Sequence, residues 1–230
     1  MADGRRRGEV GERRLWFEFS VPVRVAPVAA PGRYNPRAMV MTPSQDLPLG
    51  TKAPAFELPD PAGARHRLAD AGGSKGVVVI FMCNHCPFVK LIREKLSEVA
   101  RTYQAKGIAF FGINSNDAQK YPDDAPEKMA EEIEAFGYTF PYLVDADQKV
   151  AKAYRAACTP DIYVFDADLG LYYHGQFDDA RPGNGKPVTG KDLSAALDAL
   201  LAGAPPPQPQ VPSVGCNIKW KPGNAPEYFG

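Results

Sequence analysis

The chain has 230 residues, enough for one globular domain with a full hydrophobic core and further segments. Its 27 basic residues balance 27 acidic ones, so the charge gives no reason to expect nucleic acid or an anionic membrane surface as a partner. No apolar run reaches the roughly 18 residues of a membrane-spanning helix. Four cysteines are too few and too unevenly spaced for the disulfide framework of a secreted protein, which favours a cytoplasmic protein.

Residues 1–43 differ from the rest, and we expect them to form a disordered extension. The first 40 contain eight arginines and four acidic residues, with no sustained period of 2 or 3.6. Arg13 and Arg14, followed by apolar residues, resemble a twin-arginine export signal. Because Glu18 and Arg24 interrupt the apolar run, the sequence favours an extension over an export signal.

Residues 44–204 have the patterns of one α/β domain. The short runs 56–58 and 66–68 predict a hairpin, and the continuous apolar run 77–82 predicts a strand buried on both faces. Helical spacing over 87–104 and a second apolar run over 108–113 follow. This β-α-β succession predicts a parallel strand pair with a right-handed crossover.

The second half of the domain continues the alternation. Asp124 with Glu127 predicts the start of a helix that ends at Gly137, and Thr189 with Asp192 predicts the start of the last helix, ending at Gly203. Between them we expect a strand, a short helix and an antiparallel strand pair, at residues 141–144, 149–155, 162–165 and 171–177.

Residues 205–230 form a proline-rich tail, with seven prolines between positions 205 and 226. Such a segment cannot make a core of its own, so we expect it to run extended over the domain surface. It carries Cys216, and Trp220 is placed to pin it by packing.

Cys83 and Cys86 lie where the buried strand ends and the amphipathic helix begins. The unpaired N–H groups and the positive dipole of a helix N-terminus stabilise a thiolate there. We therefore predict a redox pair, with Cys83 exposed, more acidic and nucleophilic, and Cys86 beneath it as the resolving thiol. A zinc site lacks a second ligand pair, and an inert disulfide or idle buried thiols suit this junction poorly.

His85 lies between the two cysteines and is a candidate modulator of their chemistry. An imidazole beside the sulfurs would stabilise the thiolate and hence the reduced form. The pair would then be more oxidising than thioredoxin, whose potential is about −270 mV. The alternative is a solvent-exposed histidine without an electrostatic role.

Several segments together resemble a known family. The junction over 81–89, Thr159-Pro160 about 75 residues later, and the segments 158–161, 175–179 and 213–221 are similar to thioredoxin-fold proteins of the alkyl hydroperoxide reductase/thiol-specific antioxidant (AhpC/TSA) group. These are peroxiredoxin-like sequences that retain a Cys-x-x-Cys. The resemblance spans roughly residues 41–224 and implies a thioredoxin-like α/β fold, with a central mixed sheet flanked by helices and an N-terminal hairpin.

The resemblance also implies roles for Thr159 and Pro160. Pro160 would follow a cis peptide bond and face the cysteine pair, and the Thr159 backbone would be free to pair with an incoming chain. The alternative is a trans proline at the start of an edge strand.

The sequence departs from the relatives it resembles in two ways. Val77 stands where thioredoxin has a buried acid, so proton transfer at Cys86 needs another group or water. If Cys86 is aligned with the peroxidatic cysteine of peroxiredoxins, Cys83 and Val79 replace the threonine and proline of their motif. Thr159-Pro160 occupies the place of their arginine, for which Arg155 or Arg181 are the candidate substitutes.

The two remaining cysteines have different expected roles. Cys158 precedes Thr159, but strand alternation turns its side chain away from the site, so we expect a small buried hydrophobic residue. Cys216 is either a third redox thiol that relays or resolves the Cys83–Cys86 disulfide, or a free tail thiol.

The sequence thus predicts an enzyme, a thiol–disulfide oxidoreductase without a cofactor, whose Cys83–Cys86 pair exchanges with a protein or small-molecule thiol. One alternative is a thiol-dependent peroxidase with antioxidant activity. A second is a metal-binding module using Cys83, Cys86 and either His85 or His174. A third is an interaction module with idle cysteines.

Overall fold

The computed structural model describes residues 41–229. It contains the buried sheet and the amphipathic helices that the sequence predicts. The predicted N-terminal extension and the twin-arginine segment lie outside these residues, except for 41–43. Within the described part of the chain, no helix combines the length and hydrophobicity needed to cross a membrane. The described residues contain ten strands and four α-helices. In chain order these are β1 (Met41–Pro43), β2 (Glu57–Pro59), β3 (Arg65–Arg67), β4 (Gly76–Phe81), α1 (Pro87–Gln104), β5 (Ile108–Asn114), α2 (Pro126–Phe136), β6 (Tyr142–Val144), α3 (Lys149–Ala153), β7 (Cys158–Thr159), β8 (Asp161–Asp166), β9 (Leu171–His174), α4 (Lys191–Leu201) and β10 (Val214–Asn217).

A five-stranded mixed sheet is the centre of the fold, in the order β6-β5-β4-β8-β9. Strands β4, β5 and β6 run parallel, while β8 is antiparallel to β4 and β9 antiparallel to β8. The predicted β-α-β unit and the hairpin of β2 with β3 are both confirmed. This is the thioredoxin-like α/β fold that the family resemblance implied.

Strand β4 is buried along its whole length because both faces of the sheet are covered. Val78 and Ile80 face a core built with α1, α2 and α4. Val77 and Val79 face the opposite core, to which α3 contributes. The strand therefore carries apolar residues at every position, and its end at Phe81 is held at a fixed depth between the two cores.

Helix α1 begins and ends at the predicted residues. Its apolar face includes Ile92, Leu96 and Val99, which lie in the first core. Pro87 occupies the first helical position, where the missing N–H is of no consequence, and Cys86 is the N-cap residue. The packing of α1 thus fixes the position of the segment that carries both cysteines.

Two helix starts differ from the predictions. The N-cap of α2 is Ala125, because Asp124 lies in a preceding 3-10 turn and its carboxylate is engaged elsewhere. The N-cap of α4 is Gly190, which adopts the left-handed conformation with φ of +66°. Gly137 ends α2 in the left-handed conformation, as predicted.

The ends of the described chain form a second sheet, in the order β1-β10-β7. The expectation of an extension as far as residue 43 is wrong for 41–43, since β1 pairs with β10. The tail does not simply cross the surface either, because β10 lies between two strands, and Cys216 within it is buried. Trp220 packs at the edge of the second core, as its predicted pinning role requires.

Candidate active site

Both cysteines of the Cys-x-x-Cys segment are buried in the reduced structure. Cys83 is 1% exposed and Cys86 is fully buried. Both sulfurs contact Thr159, and the two thiols lie close enough for each to shift the pKa of the other. The prediction that Cys83 is exposed is therefore wrong, because its sulfur packs against Thr159 of β7.

Thr159 and Pro160 face the pair. The Thr159–Pro160 peptide bond is cis, as the family resemblance implied. The Cys83 sulfur lies 3.4 Å from Thr159 Oγ1, and the Cys86 thiol donates a hydrogen bond to the Thr159 carbonyl oxygen at 3.1 Å. One residue thus contacts both sulfurs.

The thiol acidities are the reverse of those predicted from the sequence. Burial raises the pKa of Cys83, and the thiol of Cys86 and the carboxylate of Asp124 raise it further. Burial also acts to raise the pKa of Cys86, but interactions with Cys216, Cys83 and Thr159 outweigh it and lower that pKa well below its usual range. Of the two thiols, Cys86 at the N-terminus of α1 is therefore the one that ionises more readily.

Asp124 anchors the loop between the cysteines and was not expected to do so. Its Oδ1 accepts hydrogen bonds from the backbone N–H groups of Asn84 (2.8 Å) and His85 (3.2 Å). Its Oδ2 contacts His85 Nδ1 at 2.5 Å and accepts from Asn116 Nδ2 at 2.8 Å. This buried carboxylate has a partner for each oxygen and holds the loop from 40 residues away in the sequence.

His85 is oriented by this carboxylate. Its side chain is 21% exposed, and its ring stacks on Tyr121 with centroids 5.1 Å apart and an angle of 12° between the planes. A ring nitrogen of His85 and the Cys83 sulfur lie within 4.8 Å of each other. The imidazole is thus close enough to Cys83 to act on it electrostatically, although its direct partner is Asp124.

Asn84 is fixed by a second residue that the sequence did not single out. Tyr142 Oη donates to Asn84 Oδ1 at 3.0 Å and contacts the Met82 carbonyl oxygen at 3.4 Å. Because Tyr142 is fully buried on β6, it connects the loop to the neighbouring strand. Spacing in the sequence gives no signal for such a contact.

The two remaining cysteines occupy different environments. Cys158 is fully buried, burial raises its pKa, and its thiol is directed to the Pro160 carbonyl oxygen at 3.6 Å. This agrees with the expected role of a small buried residue. Cys216, in contrast, lies beside Cys86, and its interaction with that thiol, together with burial, raises the pKa of Cys216.

Neither arginine considered as a peroxide-binding residue turns to the pair. Arg181 donates to the carbonyl oxygens of Asp178 and Ala180 and to Gln176 Oε1. The guanidinium of Arg155 lies over the Tyr228 ring, 5.0 Å from its centroid. Both guanidinium groups are therefore engaged in contacts outside the cysteine pair.

A metal ion could find three donor atoms at the site. One atom each of Cys83, His85 and Asp124 lie within 4.8 Å of one another. A metal there would compete with the existing His85–Asp124 contact. His174 does not extend this set, because its Nε2 contacts Asp161 Oδ1 at 2.8 Å and its ring stacks on Tyr163.

Replacing Asp124 with asparagine tests the anchor. The amide can still accept from the two backbone N–H groups, but its nitrogen cannot accept from His85 or Asn116. We expect a loss of about 1–3 kcal/mol in the free energy of unfolding, measured by urea denaturation. The pKa of Cys83 should fall because a neighbouring negative charge is removed, as seen in the pH dependence of its alkylation.

The matched control is Asp123→Asn, which changes an exposed carboxylate on the same turn. It should leave stability within about 0.5 kcal/mol of the original. Equal effects of the two substitutions would contradict the anchoring role of Asp124.

Comparisons with known proteins agree with this fold. The AhpC/TSA family model matches residues 49–174. The chain is 31% identical over 133 residues to thiol-disulfide oxidoreductase ResA of Geobacillus thermodenitrificans, covering 58% of this chain and 72% of that protein. It is 32% identical over 123 residues to a Mycobacterium tuberculosis protein that bears a peroxiredoxin name, covering 54% and 73%.

A solved structure is more similar still. The crystal structure of a hypothetical protein of Sinorhizobium meliloti 1021 superposes with a TM-score of 0.78 at 54% sequence identity. The alignment covers 79% of this chain and 100% of that chain. Since the family model matches more than half of the sequence, the chain belongs to the AhpC/TSA family.

Proposed function

We propose that this protein is a thiol–disulfide oxidoreductase in which Cys83 and Cys86 cycle between a dithiol and a disulfide. The observation that carries the proposal is the position of both sulfurs at the strand-to-helix junction, where Thr159 contacts each of them. The similarity to ResA of Geobacillus thermodenitrificans, a protein named for this activity, supports the reaction class.

The acidities set the order of the steps. The Cys86 thiolate attacks one sulfur of a partner disulfide, forming a mixed disulfide and releasing the first partner thiolate. Cys83 then loses its proton and attacks Cys86, which closes the Cys83–Cys86 disulfide and releases the second. This order is the reverse of the one expected from the sequence, because Asp124 and burial disfavour a charge on Cys83.

Proton transfer in this cycle has no acid available at the position that thioredoxin uses. Val77, at that position, is 1% exposed and lies in the second core. The polar atoms beside the sulfurs include the hydroxyl and carbonyl oxygens of Thr159, and His85 and Asp124 each have an atom within 4.8 Å of the Cys83 sulfur. The hydroxyl of Thr159 can donate to a thiolate without giving up its proton.

The partners proposed are small-molecule or protein thiols and disulfides. The burial of both sulfurs requires local opening before a large partner can reach them. The cytoplasmic location remains a prediction from the sequence.

Mixing the reduced protein with glutathione disulfide tests the proposed reaction. We expect release of two glutathione molecules per chain and formation of the Cys83–Cys86 disulfide. Mass spectrometry measures both products. Cys86→Ser should slow glutathione release at least about tenfold, because it removes the most acidic thiol. Cys158→Ala, which removes a buried thiol outside the pair, is the control and should react like the original protein.

The same experiment with hydrogen peroxide in place of glutathione disulfide tests the alternative function, a thiol-dependent peroxidase. The similarity to a protein with a peroxiredoxin name and the low pKa of Cys86 favour testing it. Hydrogen peroxide should oxidise the pair no faster than a free thiol, since Arg155 and Arg181 are engaged elsewhere. Rapid stoichiometric oxidation by peroxide without reaction toward glutathione disulfide would replace the proposal with a peroxidase.

A second prediction concerns His85 as a modulator of the redox potential. Because the imidazole lies within 4.8 Å of the Cys83 sulfur, its positive form stabilises the reduced, charged state of the pair. We expect a potential above the value of about −270 mV for thioredoxin, and His85→Ala should lower it by about 30 mV, corresponding to tenfold in the exchange equilibrium.

The potential is measured by equilibration with glutathione buffers. Lys90→Ala, at an exposed position on α1, is the control for a change of surface charge near the same helix end. An unchanged potential in His85→Ala would assign the histidine to a purely structural contact with Asp124.

A further inference from the structure

The backbone edge of Thr159 is already occupied by the chain's own tail. Strand β10 pairs antiparallel with β7, with Cys216 opposite Thr159 and Asn217 opposite Cys158. The expectation from the family resemblance that this edge is free for an incoming chain is therefore wrong for the present conformation. Strand β1 covers the other side of β10.

The approach of β10 to β7 is closer than an ordinary strand pair allows. A Cβ atom on Gly215 would lie 2.0 Å from the Thr159 carbonyl oxygen, so only glycine fits there. The segment around it is also anchored on both sides. Ser213 Oγ donates to the Gly175 carbonyl oxygen at 2.8 Å, and the Ile218 N–H donates to the Ala157 carbonyl oxygen at 3.1 Å.

This close approach brings a third sulfur to the cysteine pair. Cys216 is 8% exposed and lies opposite Thr159, whose carbonyl oxygen is 3.1 Å from the Cys86 sulfur. Cys86 interacts closely enough with both Cys216 and Cys83 for each thiol to shift its pKa, so it has two thiol neighbours. Cys83, Cys86 and Cys216 all belong to the first core, which keeps water from separating them.

We propose that Cys216 is a third redox residue, which the tail strand delivers to Cys86 and which forms an intramolecular disulfide with it. This proposal rests on the proposed function of the Cys83–Cys86 pair. It makes β10 an internal substrate strand, occupying the edge at Thr159 and presenting a cysteine to the site as a bound peptide would.

The reaction is an exchange that needs no external oxidant. The Cys216 thiol loses its proton, and its sulfur attacks Cys86 in the Cys83–Cys86 disulfide. The Cys86–Cys216 bond forms as the Cys83–Cys86 bond breaks, and the Cys83 sulfur leaves with the electron pair and takes up a proton. One disulfide and one thiol are present before and after the step.

The proximity of Cys216 to Cys86 also allows Cys216 to resolve a mixed disulfide on Cys86. When a small disulfide has reacted with Cys86, attack by Cys216 on the Cys86 sulfur expels the second half of the small molecule as a thiolate. A paired β10 also prevents another chain from pairing with Thr159, so the docked protein is suited to small thiols and disulfides.

Cys83→Ser isolates the reaction of Cys216. The full-length reduced variant is mixed with glutathione disulfide and digested with trypsin without reduction. Trypsin separates the relevant cysteines into the segments 76–90, 156–191 and 192–219. We expect segment 76–90 to be linked to 192–219, through Cys86 and Cys216, and not to 156–191, which carries Cys158.

The matched control is the double variant Cys83→Ser/Cys216→Ser. Glutathione should remain on Cys86, and its release should be slower by at least about tenfold, because a neighbouring thiol reacts at high effective concentration. Gly215→Ala, combined with Cys83→Ser, keeps the thiol but displaces the strand, and should also reduce the cross-link. Far-UV circular dichroism checks the folding of each variant.

Equal release of glutathione from the single and double variants would overturn the proposal, as would a cross-link to Cys158 instead. The unsubstituted chain gives a measurement that needs no variant: after partial oxidation it should contain both Cys83–Cys86 and Cys86–Cys216 disulfides. If the oxidised chain contains only the Cys83–Cys86 disulfide, the redox role of Cys216 is contradicted.

The outcome is separable from that of the proposed function. Cys216→Ser with intact Cys83 and Cys86 should still react with glutathione disulfide and release both halves. If it does so while the cross-link in Cys83→Ser is absent, only the role of Cys216 fails. If the cross-link forms but Cys83 and Cys86 never close a disulfide, the function proposed for the pair fails.

Discussion

The thiol of Cys86 lies where three parts of the fold meet. It is at the N-terminus of α1, it contacts Thr159 beside the cis-proline, and it lies beside Cys216 on β10. Burial alone would make a charge at this sulfur costly, but its interactions with Cys216, Cys83 and Thr159 lower its pKa. The position of that charge determines which sulfur attacks first and which neighbours can resolve the product.

The environment that distinguishes the two sulfurs is built from buried polar contacts. Asp124 holds the loop through the backbone of Asn84 and His85, and its charge disfavours a thiolate on Cys83. Tyr142 holds Asn84 from β6. Because each of these buried polar groups has a hydrogen-bond partner, the loop is held by hydrogen bonds as well as by apolar packing.

The sequence was sufficient to predict the strands and helices whose apolar residues follow a regular pattern. The apolar run of β4 and the spacing of Ile92, Leu96 and Val99 in α1 follow directly from burial, so the strand-to-helix junction and its cysteine pair were predictable. The family resemblance supplied the cis bond before Pro160. These features depend on local pattern or on a motif shared with relatives.

The contacts that were missed join residues far apart in the sequence. Asp124 resembles a helix cap, and nothing in its neighbourhood indicates that it binds the loop at Asn84. The prolines of the tail suggested a surface segment, whereas Gly215 allows the strand to approach Thr159 and bury Cys216. The burial of Cys83 against Thr159 is likewise a contact between distant residues, which periodicity cannot show.

Limited alkylation of the reduced, unsubstituted protein over a range of pH measures which cysteine of the pair ionises first. Tandem mass spectrometry of residues 76–90 distinguishes adducts on the two cysteines. Iodoacetamide should modify Cys86 first, with a midpoint below the ordinary thiol pKa of about 8.5. Modification of Cys83 first, with the lower midpoint, would contradict the assignment of the more acidic thiol to Cys86.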